Sequence, residues 1–208
     1  RKMNINIGCG FHVGESWLNY DVTPTARLQK IPLFGKYITT GDDTFPQNVI
    51  FGDIRKGLLS KPDLAENIYC SHTLEHMCLE EMRLSLNNIY KMLKKGGSFR
   101  LIVPSLESRI NHYNANKDAN DFIKNISMGQ EKSNKGLIGK LREIFGSSRH
   151  LWMYDDKNMY NELQKLSFSK IRKCQFGDSG INVYSEVEDK NRFIHEEGHI
   201  EVAYHCIK

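Results

Sequence analysis

The stretch "HTLEH", residues 72–76, sets His72, Glu75 and His76 at i, i+3 and i+4. On a turn of helix that spacing makes a single face. Two imidazoles and a carboxylate can ligate a divalent metal, and H-x-x-E-H is the reversed zincin pattern. A metallopeptidase would need a further ligand from a second helix, whereas this stretch follows directly on an apolar run that reads as a strand. In the plainer reading Glu75 and His76 belong to a helix start and hydrogen-bond a neighbouring loop. His72 ends the strand and titrates near neutrality, which makes it the better candidate for a base. Metal binding by the three is left open by the pattern.

A second constellation lies at the start of the chain. In "NINIGCGFHVGESWLNYDV" (4–22) an apolar strand runs into Gly8-Cys9-Gly10, and Asp21 closes a second strand thirteen positions after Gly8. Turns of this kind hold nucleotides. A dinucleotide site has G-x-G-x-x-G opening a full helix, whose N-terminus carries the pyrophosphate. Here the spacing is Gly8-x-Gly10-x-x-x-Gly14, and only ten residues, Gly8 to Trp17, separate the strands. That is near the lower limit for a parallel crossover and leaves about one helical turn. A ligand carrying a ribose and a zwitterionic amino acid, with no phosphate, loses nothing from a missing helix. S-adenosylmethionine is such a ligand. Taken singly, Gly8 and Gly10 could form a simple turn, Asp21 an Asx turn and Asp53 a helix cap.

These residues need a frame to bring them together. Apolar runs recur at 3–7, 17–22, 48–53, 66–71, 98–104, 170–176 and 199–207, and read as strands. Leu79, Met82, Leu86, Ile89 and Leu93 form one helical face, with Lys91, Lys94 and Lys95 near its end and Gly96-Gly97 as its stop. A later helix is capped by Asp155 or Asp156 and turns Met159, Leu163 and Leu166 inward. Strands alternating with helices predict an α/β fold, a mainly parallel sheet with helices on both faces. After residue 190 no helix fits before the end, so one of the last two strands runs antiparallel. Ligands of such sheets bind at the carboxyl ends of the strands. Those ends are Gly8–Gly10, Asp21, Asp53, Ser71–His72 and Pro104–Ser105.

The chain's 208 residues, 39% hydrophobic and 26% charged, suit one globular domain with a full core. No apolar run approaches the ~20 residues of a membrane span. Five cysteines without a C-x-x-C pair, and no secretory pattern at the start, predict reduced thiols in a cytoplasmic protein. The formal charge of +4 is concentrated in residues 132–149, where Lys132, Lys135, Lys140, Arg142 and Arg149 face one acid, Glu143. The remainder is neutral and gives no reason to invoke nucleic acid.

The ordered set "NIGCG", "LNYDV", "FGDIRKGL", "IYCSHTLEHM", "IYKMLKKGGSFRLIVPSLE" and "HLWMYDDKNMYNELQKLSFSKIRKCQFGDS" resembles class I S-adenosylmethionine-dependent methyltransferases. Within them it is most similar to the small bacterial type 11, ubiquinone-methyltransferase-like branch. The resemblance covers 3–105 and 150–176 and implies a Rossmann-like, doubly wound seven-stranded sheet with a reversed final strand. It also implies a cofactor, S-adenosylmethionine, and roles for individual residues. Gly8, Cys9 and Gly10 would lie under the methionine part, and Asp21 would accept from the ribose hydroxyls. Asp53 would take the adenine amino group with Ile54 against the ring. Ser71 and His72 would lie beside the sulfonium. Some relatives carry E-x-x-E-H where this chain has H-x-x-E-H and bind a divalent ion. His72 in place of the first Glu disfavours a hard magnesium ion.

Methyl transfer is an in-line displacement, which needs alignment and, for a hydroxyl acceptor, removal of a proton. His72 or His150 could act as that base. The Asn/Asp-Pro-Pro-Tyr signature of planar-nitrogen methylation is absent, which favours oxygen on a small-molecule or saccharide acceptor. Residues 106–149 read as a substrate-side insertion or lid within a single 1–208 domain. In it, Leu137, Ile138, Leu141, Ile144 and Phe145 share a helical face opposite cations, a surface for core packing, an acidic acceptor or peripheral membrane contact. His150, Trp152 and Tyr154 are expected to line the acceptor pocket. Two rival readings remain: a nicotinamide-dependent oxidoreductase on a similar sheet, and a non-catalytic cofactor-binding protein.

Overall fold

Asn4-Ile5-Asn6-Ile7 alternates polar and apolar side chains, so a strand built from it has two different faces. In the computed structural model, which describes residues 3–29, 44–129, 149–195 and 198–208, this segment is β1 (Asn4–Ile7). It sits within a seven-stranded sheet. The other strands are β2 (Leu18–Asp21), β3 (Val49–Phe51), β4 (Ala65–Ser71), β5 (Leu93–Val103), β6 (Lys170–Lys173) and β7 (Val202–Ile207). Their order is β3-β2-β1-β4-β5-β7-β6. The pairs from β3 to β5 are parallel, and β7 runs antiparallel to both β5 and β6. The expected reversed final strand is therefore present. The chain changes direction across the sheet between β1 and β4, where such sheets bind ligands.

One face is apolar. Ile5, Ile7, Ile68, Cys70, Phe99, Leu101, Val202 and Tyr204 meet α2 (Leu79–Met92) and α5 (Asp156–Gln164), which contribute Met82, Leu86, Ile89, Met159 and Leu163. Asp155 caps α5 by accepting from the Asn158 N–H at 2.7 Å. The end of α2 departs from expectation. The helix stops at Met92, and Leu93, buried, already pairs with Ala65 as the first residue of β5. Gly96 and Gly97 lie in an irregularity of that strand, not at a helix end. A Cβ on Gly97 would come within 2.9 Å of the Lys94 carbonyl and 3.0 Å of the Ala65 carbonyl. Gly97 serves a close backbone approach between strands, and Gly96 supplies the left-handed turn (φ 76°) before it.

The opposite face is polar. No helix joins β1 to β2, and local turns satisfy only part of the backbone of residues 10–17, such as the His12 and Trp17 N–H groups. Asparagines from the sheet supply further bonds. Asn6 donates to the His12 carbonyl at 2.8 Å, Asn4 to the Ser16 carbonyl at 3.1 Å, and Asn19 to the Gly14 and Trp17 carbonyls at 2.9 and 3.1 Å. The Gly14 N–H returns a bond to Asn19 Oδ1 at 3.1 Å. The set continues across the sheet through Asn67, Ser98 and the Tyr184 hydroxyl.

A long excursion between β6 and β7 covers this face. It contains a 3-10 turn (Asn182–Glu186) and α6 (Lys190–Phe193). Trp17, Tyr69, Ile102, Tyr184, Val187 and Phe193 pack together there. Two more helices, α3 (Leu106–Asn116) and α4 (Ala119–Asn125), follow β5, and α1 (Pro24–Leu28) follows β2. The apolar face expected from Leu137 to Phe145, with most of the basic segment 132–149, lies outside the described residues. All five cysteines are free, four of them buried. Among the described residues no helix is long and apolar enough to cross a membrane.

Asn19 is fully buried and makes the largest share of these loop bonds. Asn19→Ala orphans the Gly14 N–H and takes one of two donors from the Gly14 carbonyl, which keeps the Trp17 N–H at 3.3 Å, and an orphaned buried group costs ~1–3 kcal/mol. A drop of about 2 kcal/mol or more in urea-unfolding free energy is expected. An unchanged midpoint would mean that water replaces the side chain.

Candidate active site at the carboxyl edge of the sheet

The loop after β1 begins with two left-handed glycines, Gly8 (φ 64°) and Gly10 (φ 52°). A Cβ on Gly8 would fall 2.0 Å from the Thr73 hydroxyl, so glycine is required by conformation and by space. The N–H groups of Gly8 and Cys9 both donate to the Tyr20 carbonyl, at 2.8 and 3.1 Å. Asp21 then fastens the loop: Oδ2 accepts from the Gly10 N–H at 2.9 Å, and Oδ1 from the Thr23 N–H at 2.7 Å. The Asx turn foreseen as the plainer role is formed, and each oxygen keeps a lone pair for a ligand hydroxyl. Cys9 is no nucleophile. Burial and the neighbouring Asp21 push its thiol up to about 12. A cleft opens beside the loop, lined by Asn6, Gly8, Cys9, Tyr69 and Ser71 from the sheet side, and by His12, Val187 and Arg192.

Asp53 and Ile54 sit differently from the other strand-end residues. Asp53 caps a 3-10 turn (Ile54–Lys56), accepting from the Arg55 N–H at 3.0 Å. Both its oxygens also pair with the Arg55 guanidinium, at 2.8 and 2.9 Å. Ile54 is 3% exposed and belongs to the main core. Asp53 therefore has only its remaining lone pairs to offer an adenine, and Ile54 shows almost no surface to a ring.

The histidines divide into two groups. His72 has a left-handed backbone (φ 51°), unusual for a non-glycine residue, at the end of β4. Its Nδ1 is 3.0 Å from the Ser71 hydroxyl, and its Nε2 is 3.9 Å from Glu201 Oε1. Burial lowers its pKa, against the pull of Glu201, so the ring is neutral near pH 7, the state a base requires. Glu201 in turn is held by both terminal nitrogens of Arg109 and by the Ser105 N–H at 2.8 Å. Burial would raise its carboxyl, but His72 and Arg109 outweigh that and bring it down to about 2. Neither Arg109 nor Glu201 was legible as a site residue. They lie over ninety positions apart, and only the antiparallel return of β7 beside β5 joins them.

The second group is Glu75, His76 and His150. Leu74–His76 is a 3-10 turn starting after His72, so the helical face expected for His72, Glu75 and His76 does not form. His150 takes the place of His72. Its Nε2 and that of His76 lie 4.0 and 3.9 Å from Glu75 Oε1, and the three ligand atoms fall within 4.8 Å of one another. The segment carrying His150 is clamped by the Glu75 carbonyl, which accepts from the N–H groups of Leu151 (2.7 Å) and Trp152 (3.2 Å). His76 Nδ1 donates to the Arg149 carbonyl at 3.0 Å, leaving Nε2 as its lone-pair nitrogen. Glu75 is fully buried, and neither carboxylate oxygen has a hydrogen-bond partner. Burial raises its pKa to about 8. Burial and the adjacent His76 lower that of His150 to about 4.

A buried carboxylate without donors costs several kcal/mol unless it is neutralised. Two imidazoles and one carboxylate facing each other are a donor set for a borderline divalent ion, and the His76–carbonyl bond is the outer support such ligands have. The residues therefore fit a metal, and the set includes His150 in place of His72. Of the expected acceptor-pocket residues, Trp152 is 40% exposed, whereas Tyr154 is fully buried in the core and lines nothing. Its backbone bridges to Ser105, which spends it on holding α3.

Glu201 provides a pH test of the acceptor side. Its folded pKa lies below its unfolded value of ~4.3, so its contribution is complete above that value and is lost as pH falls toward about 2. Glu201→Gln should lower stability by about 3 kcal/mol at pH 7, since it strands Arg109 in the interior. The gap to the parent should close as pH falls from ~4.3. Denaturation at a series of pH values measures both, and a gap constant down to pH 2 would contradict the assignment.

No family model matches the sequence, and no curated protein matches it. Solved structures do. A S-adenosylmethionine-dependent methyltransferase from Archaeoglobus fulgidus superposes with TM-score 0.52 at 17% identity, covering 100% of this chain and 86% of the other. A methyltransferase from Thermotoga maritima, described as a possible histamine N-methyltransferase, gives 0.50 at 15%, covering 100% and 82%. Magnesium protoporphyrin IX methyltransferase from Synechocystis, solved with bound S-adenosylhomocysteine, gives 0.50 at 9%, covering 100% and 74%. Likeness at these identities concerns the backbone. The chain has the fold of the class I S-adenosylmethionine-dependent methyltransferases.

Proposed function

We propose that the protein transfers a methyl group from S-adenosylmethionine to a hydroxyl oxygen of a small-molecule or saccharide acceptor. One observation carries the cofactor reading: the connection between β1 and β2 holds no helix, yet Gly8 and Cys9 line a cleft at the end of β1, in a loop that Asp21 fastens through the Gly10 N–H. Without a helix N-terminus there is little to receive a pyrophosphate, which disfavours a nicotinamide cofactor. A ribose and an amino-acid tail need only the polar groups that are present. His72 is the base in this reading, with Glu201 and Arg109 orienting its ring. Glu75, His76 and His150 would hold a divalent metal, which when bound would supply Lewis-acid stabilisation of a deprotonated hydroxyl.

S-adenosylhomocysteine should raise the melting temperature, because binding to the folded state alone stabilises it. Asp21→Ala should weaken its binding by about 1.5–3 kcal/mol, as for hydrogen bonds to a charged group. An equal response to NAD, or no response to either, would refute the cofactor. His72→Ala should keep that affinity and lower turnover of hydroxylated acceptors by ~10²–10⁴. Unchanged turnover would leave alignment as the whole mechanism.

The metal is tested separately from turnover. After chelator treatment, Zn²⁺ or Mn²⁺ should raise the melting temperature and Mg²⁺ should do little, given the nitrogen donors. Glu75→Gln and His150→Ala should abolish the response. Persistence of the shift in both variants would remove the site.

A further inference from the structure

Arg192 stands apart from the ion pairs that hold the fold. It belongs to α6, in the excursion that covers the polar face, and it is half-buried. Among the described residues no carboxylate lies within ion-pair distance of its guanidinium, and no hydrogen bond involves that side chain. The nearby arginines contrast with it. Arg100 and Arg109 are each committed to buried carboxylates, and Arg55 and Arg172 to partly exposed ones. Arg192 instead lines the cleft beside Gly8 and Cys9, opposite Ser71. Its charge is felt there: it opposes protonation of His72 and favours ionisation of Glu75.

The cleft offers a complementary group. Asn6 also lines it. Asn6 spends its amide hydrogens on the His12 carbonyl and Asn19 Oδ1, so its own Oδ1 is the acceptor it has to spare. An arginine without a carboxylate and an amide oxygen without a donor are the two halves of a zwitterion site. The cleft is open to solvent and is lined by the glycine loop as well as by these two side chains. The zwitterionic amino-acid tail is the part of the cofactor whose charges match them.

We infer that Arg192 binds the carboxylate, and Asn6 the ammonium, of the cofactor's amino-acid tail, so that the β6–β7 excursion completes the cofactor site. This rests on the adenosylmethionine reading above. Arginine is suited to the task because its planar fork can meet both carboxylate oxygens at once. The recognising cation then comes from the far end of the chain, some 180 residues from the glycine loop.

Two ligands separate the tail from the nucleoside: S-adenosylhomocysteine, and 5′-methylthioadenosine, which lacks the amino-acid carbons. Calorimetric titration of the wild type, Arg192→Gln and Arg192→Lys with each is the test. Arg192→Gln should raise the Kd for S-adenosylhomocysteine about 10- to 100-fold, the range for hydrogen bonds to a charged group. The Kd for methylthioadenosine should stay within about twofold, and Arg192→Lys should fall between the parent and Gln, keeping charge but losing the fork. Equal loss for both ligands, or loss for neither, overturns the assignment and leaves the cofactor reading standing. If the wild type binds neither ligand, the cofactor reading fails and takes this one with it. Far-ultraviolet circular dichroism and melting of the variants guard against a folding defect, which would weaken both ligands alike and so count against the assignment.

Discussion

The rest of the molecule depends on how the backbone between β1 and β2 is satisfied. Ten residues without a helix leave carbonyls and N–H groups facing the sheet, and a buried, unpaired backbone group is too costly to keep. Asn4, Asn6 and Asn19 meet that need from the strands themselves. A strand face of asparagines cannot also be an oily bed for a helix. The sheet therefore has one apolar face under α2 and α5, and one polar face that only a segment with matching hydrogen bonds can cover.

That segment is the β6–β7 excursion, and a buried cation anchors it. Arg100, fully buried on β5, meets Asp178 at 2.9 Å, the Gln175 carbonyl at 2.9 Å and the carboxylate of Glu188. All three partners lie in the excursion. The His205 ring beside it accepts from the guanidinium at 3.2 Å, which requires a neutral imidazole. Burial and Arg100 lower that ring to about 4. Trp17 adds a hydrogen bond to the Val183 carbonyl at 3.1 Å and packs on Tyr184. Removing one member of such a buried charged set costs about 3–5 kcal/mol, comparable with much of a domain's stability. The excursion is thereby fixed against the glycine loop, with Val187 and Arg192 at the cleft.

The acceptor side follows from the same strand order. Placing β7 beside β5 brings Glu201 to Arg109 and within reach of His72. Glu75 is fully buried, and among the described residues its carboxylate faces the imidazoles of His76 and His150. The two carboxylates have opposite pKa displacements because Glu201 is hydrogen-bonded by Arg109, whereas burial dominates at Glu75 and the arginines act on it only through space. Active sites arrange burial and charge partners to push titrating groups apart in this way.

Local pattern was enough for the elements. Periodicity of two and of three to four located all seven strands and the helices α2 and α5, and the shortness of the first crossover already argued against a phosphate-binding helix. The end of α2 is not legible, because a Gly-Gly pair inside a strand irregularity looks the same, in sequence, as one that stops a helix. Asn-Ile-Asn-Ile carried its own clue to a two-faced strand, legible from alternation alone, though not what the asparagines would bind. What only the tertiary structure decided is partnership. Whether His72 turns to Glu75 or to Glu201 depends on a left-handed residue and a 3-10 turn. Whether His150 meets Glu75 depends on a clamp between segments far apart in the chain. Side-chain chemistry is written residue by residue, but charge partners are assigned by strand order, and strand order is a property of the whole sheet.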